Sequence, residues 1–143
     1  MIIRQKKMTL LIATLVLMGA GLNSAQASAV TVLSETNASK TVVVKLGAKV
    51  DLTLHSMYWQ FAAPAKSSSL TSKGKPTLKP IFPGPNAPRG CQVVGSGCGS
   101  QSWHFVATKV GLTHLVASRT TCGEAMRCTG TSGSYTVTVR VAR

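Results

Sequence analysis

Cys91-Gln-Val-Val-Gly-Ser-Gly-Cys98 opens the stretch that decides the fold. It leads into Trp103-His-Phe-Val-Ala-Thr-Lys109, a Val110-Gly111 break, Leu112-Thr-His-Leu-Val-Ala-Ser118, and Arg119-Thr-Thr-Cys-Gly-Glu-Ala-Met-Arg-Cys128. The first apolar segment alternates with period two and the second continues in strand-like composition, so both read as half-buried strands. A short loop brackets them on either side, and each loop carries its own pair of cysteines.

Working outward, the C-terminal Ser134-Tyr-Thr-Val-Thr-Val-Arg-Val141 is a further strand, with Tyr135, Val137, Val139 and Val141 on one face. Gly130-Thr-Ser-Gly133 before it is a turn. Towards the N-terminus, Val50-Asp-Leu-Thr-Leu-His55 alternates, with Val50, Leu52 and Leu54 inward and Asp51, Thr53 and His55 outward. Thr41 to Leu46 precedes it with Val42, Val44 and Leu46 on one face, and the Gly47-Ala-Lys49 turn joins the two into a supersecondary pair. Ala29 to Leu33 is a short β-branched segment suited to a sheet edge. Ser34 to Lys40 is polar and turn-like, and Asn37-Ala-Ser39 matches a glycosylation acceptor, relevant only in a host that uses it. Ser56-Met-Tyr-Trp-Gln-Phe61 sets three aromatics within four positions. Such a cluster fills a core or anchors a partner, and a small sandwich's need for bulky filler favours core.

Residues 62–90 break every periodicity. They hold all six prolines, Pro64, Pro76, Pro80, Pro83, Pro85 and Pro88, together with the Ser67-Ser-Ser69 run and four lysines. Proline donates no backbone hydrogen bond, so this stretch is expected to be a loop with at most one edge strand around Thr77 to Phe82. With no amphipathic helix after residue 27, the class is all-β. Short strands separated by turn signals read as an immunoglobulin-like sandwich in one domain, residues 28–143.

Met1-Ile-Ile-Arg-Gln-Lys-Lys7 is a basic leader, Met8 to Leu22 is apolar but short for a membrane span, and Ala25-Gln-Ala27 supplies a small-x-small cleavage pattern. Residues 1–27 therefore read as a signal peptide, an uncleaved anchor being the alternative, and the protein as secreted or held in the cell envelope. Export into an oxidising compartment makes Cys91, Cys98, Cys122 and Cys128 disulfide candidates. Four cysteines allow three pairings, which sequence does not decide between. The local pairing, Cys91 with Cys98 and Cys122 with Cys128, is expected because short loops close fastest. Zinc sites space paired ligands by two to four residues, whereas the gaps here are six and five. No metal and no cofactor is implied.

The formal net charge is +13, and removing Arg4, Lys6 and Lys7 with the leader leaves +10. Only Glu35, Asp51 and Glu124 are acidic. Such a balance attracts anionic envelope polymers, lipid head groups or an acidic protein face. For charge alone, a solvated cationic surface that keeps the protein soluble is the favoured reading. Export and the lack of interleaved basic and aromatic residues argue against nucleic acid. The signatures of catalysis, a nucleophile elbow, a phosphate loop, a zinc-protease helix or paired carboxylates, are missing from the sequence. The expectation is a non-enzyme, with His55, His104 and His114 structural or exposed.

Across Trp103-His-Phe-Val-Ala-Thr-Lys-Val-Gly-Leu-Thr-His114, and in strand order over about Thr41 to Val141, the chain resembles the chagasin family. These are inhibitors of papain-like cysteine peptidases built on an immunoglobulin-like sandwich. The resemblance implies a protein-binding function carried by three loops at one end of the sandwich. The first loop, Asn-Pro-Thr-Thr-Gly in the family, falls where this chain has a shorter His55-Ser-Met-Tyr-Trp59. The second, a Gly-x-Gly-Gly type of sequence, corresponds in part to Gly95-Ser-Gly-Cys-Gly99. In the third, Arg-Pro-Trp, Arg119 is retained while Thr120 and Thr121 replace the proline and tryptophan. The partner-binding candidates are therefore Tyr58, Trp59, Gly95, Gly97, Gly99, Arg119, Thr120 and Thr121. The alternative is a structural or adhesive protein that grips anionic polymer through its basic surface.

Overall fold

The computed structural model describes residues 29–123 and 125–143. The expected signal peptide lies outside the described residues. The described residues form eleven strands: β1 Val30–Leu33, β2 Thr41–Lys45, β3 Lys49–His55, β4 Gln60–Ala62, β5 Leu70–Ser72, β6 Thr77–Pro80, β7 Gly99–Ala107, β8 Gly111–Ser118, β9 Thr121–Gly123, β10 Met126–Arg127 and β11 Ser134–Ala142. The helical content among these residues is two single 3-10 turns, Glu35–Asn37 and Gly130–Gly133.

Alternation explains the layers. One sheet runs β1-β3-β7-β5, with β6 also paired to β7, and the other runs β2-β11-β8-β4. The first directs Val50, Leu52, Leu54, Phe105 and Ala107 inward, and the second directs Val44, Leu115, Ala117, Tyr135, Val137, Val139 and Val141. All are buried in one cluster. Removing so many aliphatic side chains from water is the main stabilising term of a two-layer fold. Phe61 seals an edge of it, 4.9 Å from the Trp103 ring and 5.7 Å from Phe105.

Three details depart from the local reading. The β2 and β3 strands do not pair with each other: β2 runs parallel to β11, and β3 lies between β1 and β7. Their shared turn is a crossover between sheets, since each strand must turn its apolar face to the same core. Leu46 falls beyond the end of β2 in this turn and is 48% exposed, so it does not extend the buried face of Val44. Within 62–90 the chain forms two strands where one at most was expected. β5 and β6 pair successively along one edge of β7, Leu70 opposite Ala107 and Thr77 opposite Ser102. Leu70 is the buried anchor of β5. Behind it the buried Ser69 bonds through its backbone N–H and hydroxyl to Thr113 of the other sheet, at 2.9 and 2.7 Å.

β6 itself is wholly exposed and is held by side chains on the outer face. Asp51 accepts from His104 Nδ1 at 2.9 Å, and His104 Nε2 lies 3.2 Å from the Thr77 hydroxyl. The Asp-His-Thr order is that of a relay, but it spans three adjacent strands on an open sheet face. It is a latch tying β6 to β7 and β3.

Candidate functional site at the clipped pole

The ends of β3 and β8 and the starts of β7 and β11 meet at one pole. The disulfides there are Cys91–Cys98 and Cys122–Cys128, the local pairing. A cleft of about 340 Å³ lies between them, lined by His55, Ser56, Ile81, Gly97, Arg119 and both bridges among others. The three loops singled out from sequence thus converge on one concavity.

Each loop is fixed by a specific contact. Gln101, buried in β7, donates its amide to the Ser56 and Trp59 carbonyls at 3.2 and 3.0 Å. This clamp holds Ser56 at a φ of 151°, a positive value unusual for a residue with a side chain. The Met57 N–H then donates to the Gly97 carbonyl at 2.8 Å, and the Tyr58 hydroxyl donates to Gly95 at 2.6 Å. The first and second loops are therefore one unit, with the half-exposed Tyr58 lying across the second. Two glycines of the second loop leave no room for a side chain as the structure stands. A Cβ on Gly97 would stand 2.1 Å from the Tyr58 ring, and one on Gly99 would stand 2.5 Å from the Lys79 carbonyl oxygen.

Arg119 carries the third loop. Its guanidinium lies 4.4 Å over the Trp59 ring, and its Nε donates to the Ser132 carbonyl at 3.0 Å. A charge held between an aromatic face and a carbonyl is pre-oriented. Trp59 itself is buried and offers no open ring to a partner; it is the floor on which Arg119 rests. Thr120 is exposed and Thr121 starts the β9-β10 ribbon, which the Cys122–Cys128 bridge closes.

His55 is not merely a solvated strand end. Its backbone N–H and ring Nδ1 both bond Glu35, the latter at 3.0 Å. Burial pushes the Glu35 carboxyl up, but the His55 bonds outweigh it and hold the group below its ordinary value. Sequence reasoning passed over Glu35, Ile81, Gln101 and Ser132 as parts of this pole, because their roles arise only when distant segments meet. Among the described residues no group of three or more His, Cys, Asp or Glu side chains could hold a metal ion. No described helix is long and apolar enough to cross a membrane.

No protein-family model matches the chain, and no curated protein matches it in sequence. Solved structures do match in shape. The cysteine protease inhibitor EhICP2 from Entamoeba histolytica superposes with a TM-score of 0.52 at 13% identity, over 79% of this chain and 95% of that one. Amebosin superposes with a TM-score of 0.50 at 15% identity, over 78% and 97%. What these comparisons establish is the fold: the chain is built on the chagasin-like, immunoglobulin-type sandwich that its Trp103–His114 segment implies.

Proposed function

We propose that this protein is an exported inhibitor of papain-like cysteine peptidases that fills the peptidase cleft with its clipped pole. The observation that carries the reading is that the three loops meet at one cleft between two disulfides, through His55 and Ser56, Ser96 to Gly99, and Arg119. The shared fold with a cysteine protease inhibitor supports it. Inhibition here is occupation without covalent chemistry. Both bridges and the Tyr58 strap restrict the loops before docking, so little conformational entropy remains to be lost on binding. The glycines at 95, 97 and 99 let backbone approach a partner closely. The oriented Arg119 offers remaining N–H donors to carboxylates or carbonyls at the peptidase rim.

Titration of papain against a peptide substrate tests this, using activated enzyme freed of thiol so that the bridges stay closed. The end point is expected at one inhibitor per enzyme, with Arg119→Ala weakening inhibition about tenfold, as for loss of a charged hydrogen bond. Undiminished turnover at large molar excess defeats the proposal.

A further inference from the structure

The opposite pole has a different character. There the Leu46-Gly47 crossover and the Val110-Gly111 corner sit side by side. The Gly47 N–H donates to Ala107 at 2.8 Å and the Leu46 N–H to Ala142 at 2.7 Å. Lys45, Lys49, Lys109, Arg140 and Arg143 are all exposed around this junction. So are aliphatic side chains: Leu46 is 48% exposed, Val110 47%, Val43 61%, Leu112 61% and Val30 51%. Strand register interleaves the two kinds. Arg140 lies between Val43 and Leu112, and Val30 lies beside Lys49. Isolated exposed aliphatics are ordinary, but five of them set among five cations at one end of a sandwich are a grouped feature.

The described side-chain carboxylates do not neutralise it. Glu35 is bonded to His55 at the clipped pole. Asp51 is two residues further along β3 than Lys49 and is bonded to His104. Cations alone would suit any polyanion. Aliphatic side chains between them gain nothing from a hydrated polymer, but they gain free energy by entering the interfacial layer of a bilayer.

We propose that this pole docks on the surface of an anionic phospholipid bilayer, lysines and arginines at the head groups and Leu46 and Val110 in the interfacial layer. β7 and β8 run from one pole to the other, so the clipped pole faces away from the lipid. At roughly 3.3 Å per residue, the nine residues of β7 hold it about 30 Å off the surface. The inference is independent of peptidase inhibition, because it uses none of the cleft residues.

The test is co-sedimentation of the exported protein with phosphatidylcholine vesicles, with and without phosphatidylserine, at low and physiological salt. Binding is expected only with phosphatidylserine and is expected to weaken as salt screens it. A cation near such a surface is worth roughly fivefold in partitioning, so Lys45→Glu with Lys109→Glu should lower it about 25-fold or more. Leu46→Ser with Val110→Ser should lower it several-fold, while Arg119→Ala leaves it unchanged. The four positions changed at this pole are exposed, and melting curves matching the parent chain verify folding of every variant. Equal binding to both vesicle types, or binding untouched by the pole substitutions as a retained apolar leader would give, overturns the proposal. So does binding to polyphosphate or to phosphatidylserine vesicles that responds to the lysine changes alone.

Discussion

Replacing Gly97 with alanine perturbs the clipped pole by a single methyl group, and its cost can be worked out in advance. Gly97 has a φ of +63°, where a side chain costs about 1 kcal/mol. The new Cβ would fall 2.1, 2.4 and 2.7 Å from three atoms of the Tyr58 ring. No Cβ tolerates those distances, so the ring must swing aside. Tyr58 is half-exposed and can move, which spares the protein a core collision. It then loses its 2.6 Å hydrogen bond to the Gly95 carbonyl, worth about 1 kcal/mol net. Gly97→Ala should therefore cost about 2 kcal/mol by urea denaturation, half of it steric coupling to Tyr58. A double-mutant cycle isolates that half. In a Tyr58→Ala background the same glycine change should cost only about 1 kcal/mol, the backbone share alone. Equal costs in both backgrounds refute the strap that joins the first two loops.

Other consequences are as direct. Opening either bridge by paired Cys→Ser exchange frees a loop of six or seven residue steps. In the chain-entropy model that lowers stability by about 2.5 kcal/mol, read as a shift in denaturation midpoint. Glu35 sits below its ordinary 4.5 in the folded state, so its contribution is complete above that pH and lost as pH falls through the depressed value. Glu35→Gln should flatten this acid limb of the stability profile. Tyr135 behaves in the opposite sense: burial first, then the Glu35 charge, pushes its phenol up to about 12. Stability should fall as pH rises from 10 towards 12, and Tyr135→Phe should remove that fall. Because the buried Tyr135 hydroxyl has no protein partner among the described residues, the same change should cost less than about 0.5 kcal/mol at neutral pH. Asp51→Asn should loosen the His104–Thr77 latch, seen as faster amide exchange across Thr77–Pro80 with β11 unaffected.

The parts of this structure legible in sequence are those written in local periodicity. Val50, Leu52 and Leu54, and Tyr135, Val137, Val139 and Val141, face inward as their alternation requires. Cysteines six and seven positions apart paired within their own loops. Long-range pairing left no local trace. Nothing in Thr41–Lys45 distinguishes parallel pairing with β11 from a hairpin with β3, because both bury the same face. β5 hid because its one buried apolar residue, Leu70, follows a serine run whose last member bonds across the core. At the clipped pole, the residue types proposed for contact were visible, but not their division of labour. Trp59 is a floor, Tyr58 a strap and Gln101 a clamp, and each role depends on a neighbour at least 37 positions away.

On the proposed function, the three loops of the clipped pole are the surface a peptidase covers. Amide hydrogen exchange of the protein, alone and with a stoichiometric amount of activated papain cleared of reductant, is the decisive measurement. Slowed exchange is expected only in His55–Trp59, Cys91–Gly99 and Arg119–Cys128, with the Leu46–Lys49 crossover unchanged. Protection centred on that crossover or on the outer sheet faces, or none at all, contradicts it.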